Sequence, residues 1–129
     1  MRRPPHPTTI QIIRRAREFI TDPTHWLQGA HALDAEGIER HAWHSKAIRF
    51  SADAAIWRAA HELFGEDYDG ADRAASAALS AVNTRHGTIV RYRNLANDDR
   101  SGHQDVLKIF DEVLKIFEAL AEPPKVIRD

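Results

Sequence analysis

A chain of 129 residues, 43% hydrophobic and 29% charged, can build one hydrophobic core and has the composition of a globular domain. Its net charge of -1 gives no general attraction to nucleic acid or anionic membranes, and the absence of cysteine excludes disulfides and thiolate catalysis. No apolar run follows Arg2 and Arg3, so we expect no signal peptide and no membrane span. These features predict a soluble cytoplasmic protein.

The chain begins with a proline-rich segment and an amphipathic helix. Three prolines make residues 1–7 a flexible arm. Thr8 and Gln11 have the spacing of a capping box, whose side chains satisfy free amides of the first helical turn, and they predict a helix over residues 8–20. Its buried face is expected to carry Ile10, Ile13, Ala16 and Ile20, with Phe19 beside it.

A short helical turn follows this helix. Asp22 precedes a proline, which pushes it out of the helical region and ends the first helix. Asp22 as cap and Pro23 as first position can then start one further turn that carries Trp26 and ends at Gly29.

Residues 30–49 form the irregular part of the chain. Asp34–Gly37 has the composition of a turn. The flanking residues form either a short hairpin or a loop pinned down by Trp43 and Ile48, and the sequence leaves both alternatives open.

Two alanine-rich helices are predicted next, over residues 51–64 and 70–85. Gly65 ends the first of them, and Asp69 is expected to cap the second. Small side chains let backbones approach closely, so we expect these helices to pack against each other or against the last helix. The expected buried positions are Ala52, Ala55, Ile56, Ala59 and Leu63, then Ala71, Ala75, Ala78, Leu79 and Val82.

The last helix has the clearest pattern in the chain. Ser101 and Gln104 form a second capping box, and apolar residues then recur at steps of three and four over residues 101–120. The shorter stretch 88–93 alternates and predicts either an extended connector or an edge strand. The expected buried face of the last helix is Val106, Leu107, Phe110, Val113, Leu114, Phe117 and Leu120.

Together these patterns predict an all-α, single-domain bundle of about four main helices. The helical domain covers residues 8–122, with one irregular loop or short hairpin at 30–49. Residues 123–129 are expected to form a C-terminal tail.

Three short motifs resemble those of a known family. Trp26-Leu27-Gln28-Gly29-Ala30, Ala47–Ala55, and Asn97-Asp98 ahead of Asp105-Val106-Leu107 fall in the order seen in a bacterial family of small helical proteins known only as a domain of unknown function. The resemblance covers approximately residues 10–120. It implies a helical fold and no activity. That family often has a cysteine where Ser51 stands, so any chemistry of that cysteine is lost here.

A polar pocket is one candidate site. The turn Asn97-Asp98-Asp99-Arg100 brings a carboxylate pair and a guanidinium next to a helix N-terminus, where an anion or polar ligand can be held. Loops also use Asn and Asp simply to bond their own backbone amides. The candidate ligand-binding residues are Trp26, Gln28, Asn97, Asp98, Arg100 and His103.

Metal binding has weaker support. His41 and His44 lie three residues apart, and Asp99 lies four before His103, so either pair could face one ion on a helix. The His61-Glu62 pair lacks the second histidine of a zincin motif. We therefore expect no metal and no cofactor, and we assign no catalytic residue.

Basic residues occur in two zones, one at Arg14, Arg15 and Arg17 and one over residues 85–100. If the zones met in space they would suit a nucleic-acid backbone, but no recognition motif supports this. On the first helix we expect Arg14 to pair with Glu18, which leaves the arginines available to a partner.

The function predicted from the sequence is a protein-interaction or structural module that binds a protein partner or itself. An enzyme is not favoured, because no complete catalytic motif or phosphate loop is present. The alternative is a small enzyme or ligand-binding domain with a polar pocket near Trp26, Asn97, Asp98 and His103. Nucleic-acid binding through a basic face is the third hypothesis.

Overall fold

Four helices make up most of the part of the chain that the computed structural model describes, which is residues 7–28, 32–86 and 102–121. This confirms the predicted all-α class. The predicted connector at 88–93 lies outside the described residues, as do most of the arm and the C-terminal tail. No helix in the described ranges is long and apolar enough to cross a membrane. The helices are α1 (Pro7–Phe19), α2 (Ala52–Phe64), α3 (Tyr68–His86) and α4 (His103–Ala121).

Helix α1 runs antiparallel to α4. The His103 imidazole at the start of α4 donates from Nε2 to the Ile20 carbonyl just beyond the end of α1, at 2.6 Å. Arg14, in the middle of α1, forms an ion pair with Glu118 near the end of α4. The imidazole therefore satisfies a carbonyl that the end of α1 leaves without an intrahelical partner.

Helix α1 is also antiparallel to α2. Phe19, at the end of α1, packs on Phe50 directly before α2, with ring centroids 5.6 Å apart. Arg15 reaches Glu62 near the end of α2, at 2.8 Å. Because α3 follows α2 after a short turn and contacts α1 and α4 as well, the four helices enclose one core.

The core combines large side chains of α1 and α4 with alanines of α2 and α3. Most of the predicted buried positions are confirmed, and Ile12 is buried in addition. The prediction that Leu63 is buried is wrong, because 48% of its surface is exposed, whereas His61 is buried. Helix α2 packs against both α1 and α3, so its buried stripe is set by two neighbours and not by its few large residues. The largest fully buried side chains are Phe110, Ile12, Ile13, Ile20, Ile56, Val106 and Val113.

Helix α3 begins two residues earlier than predicted, and Asp67 caps it where we expected Asp69. The Asp67 carboxylate accepts from the Gly70 amide at 3.0 Å, and its carbonyl accepts from Ala71 at 2.9 Å. A Cβ at Gly70 would lie 2.2 Å from Asp67 Oδ2, so the glycine makes room for the cap. The cap falls on Asp67 because the turn after α2 is short.

Helix α4 has a different cap residue from the predicted one. It begins at His103, and the Gly102 amide donates to Asp105 Oδ2 at 3.2 Å. Asp105 therefore has the role expected of Gln104, whereas Ser101 lies outside the described residues. A carboxylate in the first turn also complements the helix dipole.

The short turn after α1 is confirmed, but it ends at Trp26 and not at Gly29 as predicted. It is a 3₁₀ turn at Pro23–His25, with Pro23 in its first position, and the Asp22 side chain accepts from the Thr24 amide at 2.8 Å. Trp26 ends this turn, and the next residue, Leu27, donates from its amide to the Phe50 carbonyl at 3.1 Å. The turn thereby connects α1 to the irregular segment.

Two strands of two residues, β1 (Ala32–Leu33) and β2 (Arg49–Phe50), pair antiparallel within the irregular segment. Asp34, only 3% exposed, organises the turn after β1: its carboxylate accepts from the Glu36 and Ile38 amides at 2.8 and 2.9 Å and from Arg40 Nε at 2.9 Å. The Ile38 amide, with Arg40 in addition, lowers the pKa of Asp34. The segment is thus a turn with a minimal sheet, and Ile48, 43% exposed, does not pin it down.

The core predicts a clear contrast between two apolar side chains of α4. Phe110 is 1% exposed and Ile116 is 40% exposed. We expect Phe110→Ala to lower the free energy of unfolding by about 3–5 kcal/mol, because it leaves a large cavity. Ile116→Ala should cost less than about 1 kcal/mol. Urea unfolding measures both, and equal losses would contradict the assigned buried face.

Asp53 in the first turn of α2 predicts a pH dependence, since burial raises its pKa to about 6. The unfolded value is about 3.9, so the protonated carboxyl stabilises the fold below about pH 4, and this contribution is lost as pH rises through 6. The difference in unfolding free energy between Asp53→Asn and the wild type should therefore shift by about 2 kcal/mol in favour of the variant when the pH is raised from 4 to 7. A difference that does not change with pH would contradict this assignment.

Candidate functional site

A cleft of about 320 Å³ opens where the loop before β2 meets the turn between α2 and α3. We call it the His61 cleft. Its walls combine aromatic side chains with basic and acidic ones. The lining residues are Trp43, Ser45, Arg58, His61, Glu62, Gly65 and Tyr68.

The turn between α2 and α3 places Tyr68 beside His61. Gly65 adopts a φ of +59° and donates its amide to the His61 carbonyl at 2.9 Å, which ends α2. A positive φ is accessible to glycine without a steric penalty. Asp67 then donates its amide to Phe64 O at 3.1 Å, so α3 starts at once with Tyr68. The ring centroids of His61 and Tyr68 lie 5.5 Å apart.

Arg58 of α2 holds the loop that carries Trp43. Its guanidinium Nη1 donates to the carbonyls of Ala42 and His44, at 3.3 and 2.8 Å. These two carbonyls flank Trp43 in the chain, so the bonds fix the backbone on both sides of the indole. The guanidinium also lies 5.8 Å from the ring centre of Phe50.

Trp43 stacks on two histidines. Its ring lies 4.1 Å from the His61 ring at an interplanar angle of 16°, and 5.1 Å from the His41 ring at 11°. Trp57, one helical turn before His61, lies 6.4 Å from Trp43. Trp43 is nevertheless 39% exposed and Tyr68 is 58% exposed, so two large aromatic side chains remain at the surface of the cleft.

His61 is buried without hydrogen-bond partners. Only 6% of it is exposed, and neither ring nitrogen makes a hydrogen bond within the described part of the chain. Nε2 lies 3.3 Å from Asp72 Oδ1, but the two atoms do not meet in hydrogen-bond geometry. A buried polar group without a partner is uncommon, because it loses its bonds to water and gains none in return.

The predicted histidine pair lies in a separate cleft. His41 and His44 line it together with Glu39 and Arg40, and its volume is about 540 Å³. The Nδ1 atom of His44 accepts from the Lys46 amide at 3.0 Å, so this nitrogen is already used. In the described ranges, no three His, Cys, Asp or Glu side chains are grouped so that they could hold a metal ion.

The structure brings together two residues of the predicted polar pocket. The Trp26 and His103 rings lie 5.3 Å apart, and the Trp26 Nε1 atom is buried with no hydrogen-bond partner among the described residues. Gln28 is exposed at the surface. The other three members, Asn97, Asp98 and Arg100, lie outside the described residues, so the pocket stays a prediction.

The arginines of α1 are not left available to a partner as we predicted. Arg14 pairs with Glu118 and not with Glu18. The partner of Glu18 is Arg15, at 2.9 Å, and Arg15 also bonds Glu62. The expectation was wrong because only neighbours on the same helix were considered, whereas carboxylates of α2 and α4 lie within reach.

Arg17 completes this pattern. Its Nε and Nη2 atoms donate to both carboxylate oxygens of Asp111, at 2.6 and 3.1 Å. This fork geometry is the stronger form of an arginine–carboxylate pair. The three arginine charges therefore hold the helices together. The side chains of the second basic zone lie outside the part that the structure describes.

Sequence reasoning missed the His61 cleft, although one signal for it was present. His61 follows Ala54 by seven residues and Trp57 by four, which places it on the same helical stripe. A histidine on such a stripe indicates a buried imidazole. The contact between this stripe and Trp43 cannot be predicted from neighbouring residues in the sequence, because it depends on how the loop folds back.

The comparisons with known proteins concern the family and not the activity. No curated protein and no solved structure matches the chain significantly. A model of a family of unknown function, DUF6197, matches residues 4–115, which is most of the chain. This supports the resemblance to an uncharacterised family that the sequence motifs indicated. The chain belongs to DUF6197, a family of unknown function.

Proposed function

We propose that this protein is an interaction module that binds a protein partner through the His61 cleft. The observation that carries the proposal is His61, buried in the floor of a surface cleft with both ring nitrogens unpartnered. An imidazole in this position can accept or donate one bond to an inserted group. Burial of the imidazole costs free energy as long as its nitrogens have no hydrogen-bond partner, and a bound group that bonds to one of them reduces this cost.

The composition of the cleft supports a protein partner. Trp43 and Tyr68 belong to two of the residue types that are most enriched in binding hot spots. Trp43 and Tyr68 remain exposed although both are large and partly apolar, which is typical of an anchor site at an interface. Arg58 holds the loop in place, so the surface is formed before a partner arrives.

A second candidate function is ligand binding at the predicted polar pocket. The observation that favours it is the buried Trp26 indole N–H, which lies beside His103 and has no acceptor within the described residues. We rank it second because the Nε2 atom of His103 already donates to the Ile20 carbonyl. The nitrogen nearest a ligand would thus be Trp26 Nε1.

The proposal predicts that His61 lowers stability in the free protein. A buried polar group without partners costs about 1–3 kcal/mol. Leucine has a similar volume and no polar atom, so His61→Leu should raise the free energy of unfolding at pH 7 by about 1 kcal/mol. Urea unfolding measures the change. A loss of stability would show that the imidazole is there to support the fold.

Peptide selection tests the interaction directly. Wild-type protein is used to select binders from a library of displayed random peptides, and their affinities are then measured by calorimetry. We expect Tyr68→Ala to weaken the selected peptides at least tenfold, as for a hot-spot residue. Ile116→Ala is the matched control, because Ile116 is an exposed apolar residue on α4.

The two variants distinguish the outcomes. Circular dichroism checks that both remain folded. If the library yields no binder, or if Tyr68→Ala and Ile116→Ala have equal effects, the proposal is wrong.

A further inference from the structure

Resting on the proposed function, we infer that the His61 cleft binds a basic side chain of the partner, and that arginine is preferred. Exposed carboxylates near the cleft, the aromatic surfaces that line it and the polar groups that the fold leaves unused all favour such a side chain. Each of these is a feature of the described residues.

The chain around the cleft is acidic. The stretch 61–72 contains five carboxylates and no lysine or arginine. The Glu62 carboxylate is taken by Arg15, at 2.8 and 3.4 Å, and Asp67 caps α3. Asp72 is different: its side chain is 56% exposed, and within the described part of the chain its only ionic neighbour is His61.

The one positive group in the lining is committed to the fold. The Arg58 guanidinium donates to two loop carbonyls and lies against the rings of Phe19 and Phe50. Its N–H groups are thus used by the loop, while the guanidinium keeps its positive charge because carbonyl oxygens are neutral. Three exposed carboxylates lie near the cleft, Asp72 beside His61 and Glu66 and Asp69 nearby in the chain, and they outnumber the two arginines there, Arg58 and Arg73.

The aromatic side chains suit a guanidinium. Trp43 and Tyr68 are exposed at the cleft, and aromatic faces attract cations, arginine most often. A guanidinium is planar, so it can stack on a ring while its N–H groups bond a carboxylate in fork geometry. Asp72 supplies the carboxylate, whose Oδ1 lies 3.3 Å from His61 Nε2 at the edge of the imidazole.

Access to His61 requires neighbouring side chains to move, and the most exposed ring beside it is Tyr68, at 5.5 Å. The ring nitrogens are covered, but Tyr68 is 58% exposed and stands at the first position of α3. Exposed side chains change rotamer within nanoseconds, so this movement needs no change of the helices. Tyr68 can then close over the inserted group.

The test uses acetyl-arginine methylamide as the probe and acetyl-citrulline methylamide, its uncharged counterpart, as control. Binding to the full chain is followed by NMR through the indole N–H signal of Trp43, which Trp43→Phe assigns. We expect the arginine probe to shift this signal with a Kd on the order of 1 mM, as for a small ligand without other anchors. The citrulline probe should bind at least fivefold more weakly.

Two variants locate the site. Asp72→Asn should reduce arginine binding to the level of citrulline, whereas Glu112→Gln, which removes an exposed carboxylate on α4, should leave it unchanged. Equal binding of both probes, or equal effects of the two variants, would overturn the inference. If the selected peptides depend on Tyr68 but carry no basic residue, the inferred preference for a basic side chain is wrong, whereas the proposed protein interaction is retained. If no peptide is selected, the proposed function itself fails.

Discussion

The alanine faces of α2 and α3 are the constraint on which the rest of the fold depends. Alanine fills little volume, so the two backbones approach closely and leave most of the core to side chains from elsewhere. The isoleucines of α1 and the phenylalanines of α4 supply that volume. Helix α1 consequently contacts all three other helices. Truncation of a large side chain is expected to be costly here, because alanine neighbours cannot rearrange to fill a cavity.

The same constraint explains why a cleft forms near the end of α2. The buried alanines of α2 give way there to His61, which does not fill the space beside it. Trp43 enters this space from the loop and stacks on the imidazole, and Arg58 fixes the loop by its carbonyls. The cleft therefore belongs to the packing between a loop and two helices. Such sites combine a rigid base with exposed side chains at the rim, which is how loops commonly carry function.

Charge is also divided by structural role. The arginines of α1 pair with carboxylates of α2 and α4, and exposed pairs of this kind contribute little stability individually but favour one arrangement of helices. The basic zone is thereby neutralised within the fold. Around the His61 cleft, by contrast, Asp72 keeps an exposed carboxylate.

Local sequence was sufficient to predict the four helices and most of their buried faces, because helix periodicity, caps and stops act within a few residues. It was not sufficient where two signals of the same kind compete over a short distance: Asp67 and Asp69 both suit a cap, and the length of the turn selects Asp67. Contacts between residues far apart in the chain could not be predicted from local sequence at all. Trp43 meets His61, and Arg14 meets Glu118, only because of the directions in which the helices and the loop pack. Those directions result from the shape of the whole core and are not encoded in any one segment.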